Sequence, residues 1–183
     1  MEEKRIKHYS SCQQILLVGE GDFSFALCLA KAFGSASNIV ATSLDSKESL
    51  VRKYHGVSTN LEELEKLGCT LVHEVDCHIM NDHPPLKDKL HQKVVRGFLE
   101  SARKMLKEDG QVHVTHKTSY PFYKWEIVEL AKEAELSLVE EVPFERYHYP
   151  GYINKRGEGA RCNSTFPVGQ CSTFKFSKSH LFD

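Results

Sequence analysis

Gln14-Ile-Leu-Leu-Val-Gly-Glu-Gly-Asp-Phe-Ser-Phe25 joins a short apolar run to two closely spaced glycines and then to a helical segment. The run at 14–18 reads as a strand buried on both faces, and Ser24–Phe33 as a helix closed by Gly34. A strand that turns through Gly-x-Gly into a helix presents unpaired N–H groups and lets a ligand approach the backbone. The third glycine of a dinucleotide fingerprint would fall at position 24, where Ser24 stands instead. Glu20 and Asp22 put acid inside the loop, a poor cradle for a pyrophosphate. They suit a cofactor that carries a sulfonium and an ammonium group. A ligand-free tight turn and a nicotinamide dinucleotide site are the other readings of the same residues.

Outward from this turn, strands and helices alternate. Residues 38–44 read as a strand with Asp45 at its end, 26 residues after Gly19 and able to accept hydrogen bonds from ribose hydroxyls. Helices are expected at 46–54 and 60–67, the second with Thr59 and Glu62 at capping-box spacing and Gly68 as its stop. A third strand at 69–75 ends at Asp76. In 87–106, Leu90, Val94, Phe98, Ala102 and Met105 recur at helical spacing. A strand follows at 111–115, and a helix from Pro121 carries Trp125, Val128, Ala131 and Glu135. Strands at 136–144 and 172–176 read as an antiparallel edge pair joined by a Gly/Pro-rich loop at 149–169. This alternation predicts one domain over residues 1–183: a Rossmann-like α/β sheet, mostly parallel, with helices on both faces. Ligands are then expected beyond the strand ends, at 19–25, Asp45, Asp76 and His116-Lys117.

The chain has 183 residues, 40% of them hydrophobic, which is enough for a sizeable core. Its opening is charged and no apolar stretch behind it suits a signal peptide or a membrane span, so secretion and membrane insertion are not expected. Six cysteines without a Cys-x-x-Cys pair read as reduced thiols. The ten histidines include His73, His78 and His83 near Cys77, but no spacing matches a structural zinc pattern, so no metal is expected. Net charge is −1, yet residues 86–125 carry nine Lys and Arg against four acids, and 143–183 six against three. A polyanion could meet both stretches; solvated helix faces also explain such runs.

The motif Val-Gly-Glu-Gly-Asp-Phe-Ser-Phe at 18–25 resembles the 25S ribosomal RNA (uridine-N3)-methyltransferase-like domain family. Further matches are Ser43-Leu-Asp45, Val75-Asp76, His113-Val-Thr-His-Lys-Thr118 with Pro121-Phe122, and Tyr149-Pro-Gly-Tyr152. Asn154-Lys-Arg-Gly-Glu-Gly159, Arg161-Cys162, Phe166-Pro-Val-Gly169 and Cys171-Ser172 complete the set, so the likeness runs from about residue 8 to 177. The resemblance, to a plant-type member, implies a class I methyltransferase sheet and S-adenosylmethionine bound by Gly19, Glu20, Gly21, Asp22, Phe23, Asp45 and Asp76, with Ser24 beside them. It implies large-subunit ribosomal RNA as partner and a nucleolar, nuclear or cytoplasmic location. The His116-Lys117 strand end and the loop with Tyr149, Asn154, Lys155, Arg156 and Arg161 would then serve uridine or RNA. Deprotonation of the uracil imide needs a base, for which His116 is the best candidate by residue type, and Lys117 suits charge developing on the carbonyls. A satisfied strand-end histidine is the alternative for His116. Tyr120, Phe122 and Tyr149 could stack a base or serve as core or rim aromatics.

The chain departs from the family's pattern at one point. Members carry a fourth strand, resembling Phe-Asp-x-Val-x-Phe-Asn-Phe-Pro-His, before the long helix. Here His83-Pro84-Pro85-Leu86 runs almost directly into Leu90-His-Gln-Lys-Val-Val95, and only Lys87-Asp88-Lys89 is available. The strand at 111–115 is therefore expected to pair with the first strand directly or to leave a gap. A shortened splice form or a degenerate paralogue would explain the loss, and a non-catalytic module that keeps the cofactor pocket or the RNA surface is the alternative to an enzyme.

Overall fold

A short antiparallel ladder opens the chain, β1 (Arg5–Ile6) against β2 (Tyr9–Ser10). The computed structural model describes residues 2–76 and 87–179, without the side chains of 87–91. His83, Pro84, Pro85 and Leu86, with Cys77 and His78, lie outside the described residues. The chain divides into two compact units, Met1–Asp76 with Glu145–Pro167, and Cys77–Phe144 with Val168–Asp183.

In the first unit, β3 (Ile15–Leu17), β4 (Ile39–Thr42) and β5 (Thr70–Val72) form a parallel sheet in that order. Ile15 lies opposite Ile39, and Val40 opposite Thr70. Because side chains alternate along a strand, Ile15, Leu17, Ile39, Ala41 and Leu71 share one face. That face packs on α1 (Ser24–Phe33) and α3 (Val57–Lys66), with Leu50 of α2 (Lys47–Lys53) in the same core. The opposite face is more open: Leu16 is 47% exposed, so β3 is buried on one face rather than both. Helix α1 stops where Gly34 takes φ +74° and returns its N–H to the Ala30 carbonyl at 2.8 Å. Helix α3 begins at Val57, ahead of the expected capping box, because Val57, Leu61 and Leu64 form one buried stripe. Thr59 thus lies inside the helix. Strand β5 is shorter than expected, ending at Val72; Glu74 turns left-handed (φ +59°) and Val75 bonds the Ser43 carbonyl.

The second unit holds α4 (Lys87–Met105), β6 (Val112–Lys117), α5 (Ile127–Glu133), β7 (Leu136–Pro143) and β8 (Cys171–Lys178). Strand β8 lies between β6 and β7, antiparallel to both. The antiparallel C-terminal pair is present, and β8 is its inner member. Phe174 and Phe176 of β8 join Leu99, Ile127, Leu130 and Leu136 in a second core. The register slips between Leu138 and Glu140, leaving Val139 exposed and setting Glu140 opposite Lys175. The Lys175 ammonium donates to Glu140 at 2.8 Å.

Two further expectations change here, and a third takes one of its two forms. The apolar stripe of α4 runs through Val95, Phe98, Leu99 and Ala102 and continues to Leu106 just past its end, while Met105 is 64% exposed. The segment after Pro121 is a 3-10 turn, Phe122–Trp125, separated from α5 by a left-handed Glu126. Strand β6 pairs with β8 and, among the described residues, not with β3, which is the gap expected as the alternative to direct pairing; Lys87 opens helix α4.

Leu61 is almost fully buried and Leu44 is 61% exposed. Leu61→Ala is expected to cost about 2–5 kcal/mol in urea denaturation, and Leu44→Ala to stay within about 0.5 kcal/mol.

Candidate functional site

The chain leaves β3 through Gly19 at φ +78°, where an added Cβ would meet no heavy atom within 4 Å. Glu20 continues the contact with β4 by donating its N–H to the Thr42 carbonyl at 2.9 Å. Phe23 then takes φ +59° as the residue before α1, an uncommon conformation for a bulky side chain. Its ring is fully buried and lies 5.9 Å from that of His73, so the core holds the backbone in this position.

Glu20 and Asp22 lie close enough to interact, and the acids have partners that the sequence did not suggest. Asp22 is buried, and its Oδ1 accepts from the Ser24 N–H at 3.1 Å and the Ser24 hydroxyl at 2.6 Å. Its carbonyl accepts from the Asn60 amide at 2.8 Å. Glu20 accepts from the Ala26 N–H at 3.4 Å; burial pushes its carboxyl up to about 7, the N–H opposes this, and Asp22 adds a smaller upward push. Asp45 receives Lys53 Nζ at 2.6 Å and the Ser49 hydroxyl at 3.2 Å, both on Oδ1. Asp76, the third strand-end acid, is exposed.

The segment 146–167 crosses the turn as a strap. The Ile153 N–H donates to Ser24 Oγ at 3.0 Å, the Tyr54 hydroxyl donates to the Gly157 carbonyl at 3.3 Å, and the Cys162 thiol reaches the Lys53 carbonyl at 3.4 Å. Tyr54 is buried, and its hydroxyl pKa is raised, mainly by that burial and then by Asp45, Cys162 and Asp22. Of the strap residues expected at an RNA surface, Arg156 and Arg161 are exposed. Tyr149 is buried against Phe25 and Tyr9. Asn154 is buried between Arg146 and the Phe166 carbonyl. Lys155 turns inward, donating to Asn163 Oδ1 at 2.9 Å and lying 3.8 Å from Asp22 Oδ2. Lys53 had a local signal, since Asp45, Ser49 and Lys53 follow at steps of four. Lys155 had none, standing 133 positions from Asp22.

His116 and Lys117 belong to the second unit. They help line an open cavity of about 320 Å3 with Thr118, Phe122 and Tyr123. The His116 ring packs 4.5 Å from Trp125, and Lys117 Nζ lies 5.2 Å from the Phe122 ring centre. Nearby, Tyr120 is 72% exposed with Lys124 Nζ 5.0 Å from its ring centre.

Comparison with known proteins bears on both places. The model of the BMT5-like family, rRNA (uridine-N3-)-methyltransferase BTM5-like, matches residues 16–90 and 87–156. The two stretches meet at residues 87–90, where the sequence departs from the pattern expected of a fourth strand. An uncharacterized protein of Arabidopsis thaliana is 47% identical over 207 aligned positions, covering 98% of this chain and 99% of its own. That alignment is longer than this chain, so the relative carries residues that have no counterpart here. Heavy metal-associated isoprenylated plant protein 41 of Arabidopsis thaliana is 45% identical over 98% of this chain, which spans 40% of that protein. Among solved structures, a TehB-like SAM-dependent methyltransferase from Corynebacterium glutamicum aligns over 92% of this chain and 83% of its own, with 14% identity and a TM-score of 0.55. The fold is therefore the Rossmann-like fold of S-adenosylmethionine-dependent methyltransferases.

The raised carboxyl of Glu20 binds its proton more tightly in the folded chain than in the unfolded one. Its contribution to stability is thus full below about pH 4.5 and is lost as pH rises to about 7. Glu20→Gln is expected to gain stability relative to the native chain across that window, by at most about 1.4 kcal/mol per pH unit. Denaturation of both chains at pH 5 and pH 8 measures this.

Proposed function

Because this chain belongs to the BMT5-like family of rRNA (uridine-N3-)-methyltransferases, we propose that it binds S-adenosylmethionine at the turn 18–24 and methylates uridine N3 in large-subunit ribosomal RNA. The observation that carries the first half is the acidic donor set around an open backbone. Gly19 leaves room for a ligand, and Glu20, Asp22 and Asp45 offer carboxylates where a cationic nucleoside needs them. A pyrophosphate would meet the same acids as repulsion. The residues present therefore fit the cofactor, which supplies an electrophilic methyl group when bound.

In this reading Asp45 holds the ribose hydroxyls, with Lys53 and Ser49 fixing its carboxylate. Glu20 and Asp22 face the positive end, and Asp76 lies toward the adenine. Gly21 lets the turn close on Tyr54, whose hydroxyl would stand 3.3 Å from any Cβ added there. Phe23 contributes through its backbone because its ring is in the core. His116 takes the imide proton, Lys117 steadies the charge that grows on the uracil carbonyls, and Tyr123 offers a stacking face. Exposed Arg156 and Arg161 meet phosphates on the RNA. A nucleolar, nuclear or cytoplasmic site of action accompanies this substrate; no described helix is long and apolar enough to cross a membrane.

A second reading has its own support. The family match comes as two stretches that meet at residues 87–90, where the sequence lacks the expected fourth-strand pattern, and this supports the alternative of a module that keeps the pocket or the RNA surface without turnover. Titration calorimetry with S-adenosylmethionine should show binding, weakened at least tenfold by Asp45→Ala; a native chain that binds nothing removes the cofactor claim. Incubation with ribosomal RNA and nucleoside mass spectrometry should then yield 3-methyluridine. His116→Ala is expected to lower that yield by about 10²–10⁴ with the cofactor affinity unchanged. Binding without product selects the module.

A further inference from the structure

Asp22 and Lys155 meet inside the turn as an ion pair, 3.8 Å between Oδ2 and Nζ, with side chains 8% and 13% exposed. A buried pair of this kind adds little to stability once its desolvation is counted. The strap also has other anchors at Ser24, Tyr54, His55 and Lys53. The pair is nevertheless held in place from both sides. Asp22 Oδ1 is taken by the N–H and hydroxyl of Ser24, which leaves Oδ2 as the oxygen turned toward the ammonium. Lys155 gives two hydrogen bonds to Asn163, at 2.9 Å to Oδ1 and 3.1 Å to the carbonyl. A separation of 3.8 Å is too long for a hydrogen bond to Asp22. One of the three ammonium donors therefore has no short acceptor among the described residues.

A carboxylate and an ammonium fixed side by side at an open turn match a ligand that carries both charges. We propose that Lys155 binds the carboxylate of the cofactor's amino-acid end while Asp22, with Glu20, takes its amino group, so that the pair acts as a receptor for a zwitterion. The inference rests on the reading that the turn holds S-adenosylmethionine. It moves Lys155 from an RNA surface to the cofactor, and it makes the strap part of the cofactor site. The zwitterion meets charges that folding has already desolvated and oriented, and the lysine discriminates against ligands that lack the acid group.

The test compares S-adenosylmethionine with its decarboxylated form, which keeps the sulfonium and the amine, by calorimetry at pH 8. The native chain is expected to prefer the intact cofactor at least tenfold. Lys155→Met should abolish that preference by weakening the intact cofactor alone, with decarboxylated cofactor bound within about threefold of native, and Lys155→Arg should restore most of it. Equal native affinities for the two compounds overturn the inference while leaving the cofactor reading intact, and need no variant. Loss of both compounds in Lys155→Met also overturns it, assigning the lysine to strap anchorage. A native chain that binds neither compound removes the cofactor reading and this inference with it.

Discussion

The hydroxyl of Ser24 ties the turn to the strap, and the organisation of the first unit depends on that link. It donates to Asp22 Oδ1 at 2.6 Å and accepts from the Ile153 N–H at 3.0 Å, within a buried setting. A glycine at this position would leave Asp22 with one fewer donor and Ile153 with an unpaired N–H. The same Asp22 oxygen also receives the Ser24 N–H, so one carboxylate oxygen closes the start of α1 and orients the other oxygen toward Lys155. Replacing the third glycine of a dinucleotide fingerprint with serine therefore alters more than steric access. It converts a bare phosphate-binding turn into an acidic turn carrying its own cover.

Charge is distributed around that turn in a consistent way. Of the three acids, two are met by lysines, Asp45 by Lys53 eight residues on and Asp22 by Lys155 from the strap. Glu20 has no described lysine partner, and it is the one whose carboxyl burial pushes up to about 7. Pairing thus offsets the charge of two carboxylates, while burial, more than the nearby Asp22, holds the Glu20 proton up to about pH 7. Such a site gains most from a ligand that brings positive charge.

The second unit is organised around β8, the central strand of its sheet. With β6 hydrogen-bonded to β8, and β8 to β7, the antiparallel ladder places Phe174 and Phe176 against α4 and α5. The His116-Lys117 strand end is held by this ladder, opposite Ser172 and Cys171, and by the ring of Trp125. Among the described residues, the cavity there is built from local sequence, residues 116–129 with Glu141 and Phe174.

Much of this was readable in the residues, because strands and helices impose short periods that composition cannot hide. The apolar run before Gly19, the buried stripes of α1 and β4, and the stops at Gly34 and Gly68 are local patterns with local causes. The acids at the strand ends were equally legible, since a parallel sheet carries its ligands there. Local pattern misled where two stripes competed, as in α4, where packing selected Leu99 and Leu106 and left Met105 outside. It also misled where a backbone had to turn left-handed, at Glu74 and Glu126, because neither residue type announces that conformation. The approach of Lys155 to Asp22, the packing of Tyr149 on Tyr9 and Phe25, and the closure of the strap on Ser24 depend on contacts between residues more than a hundred positions apart. Sequence alone determined the elements, the acids of the turn and the Asp45–Lys53 spacing; only the tertiary fold decided that Lys155 meets Asp22, since that follows from a chain crossing that no local period encodes.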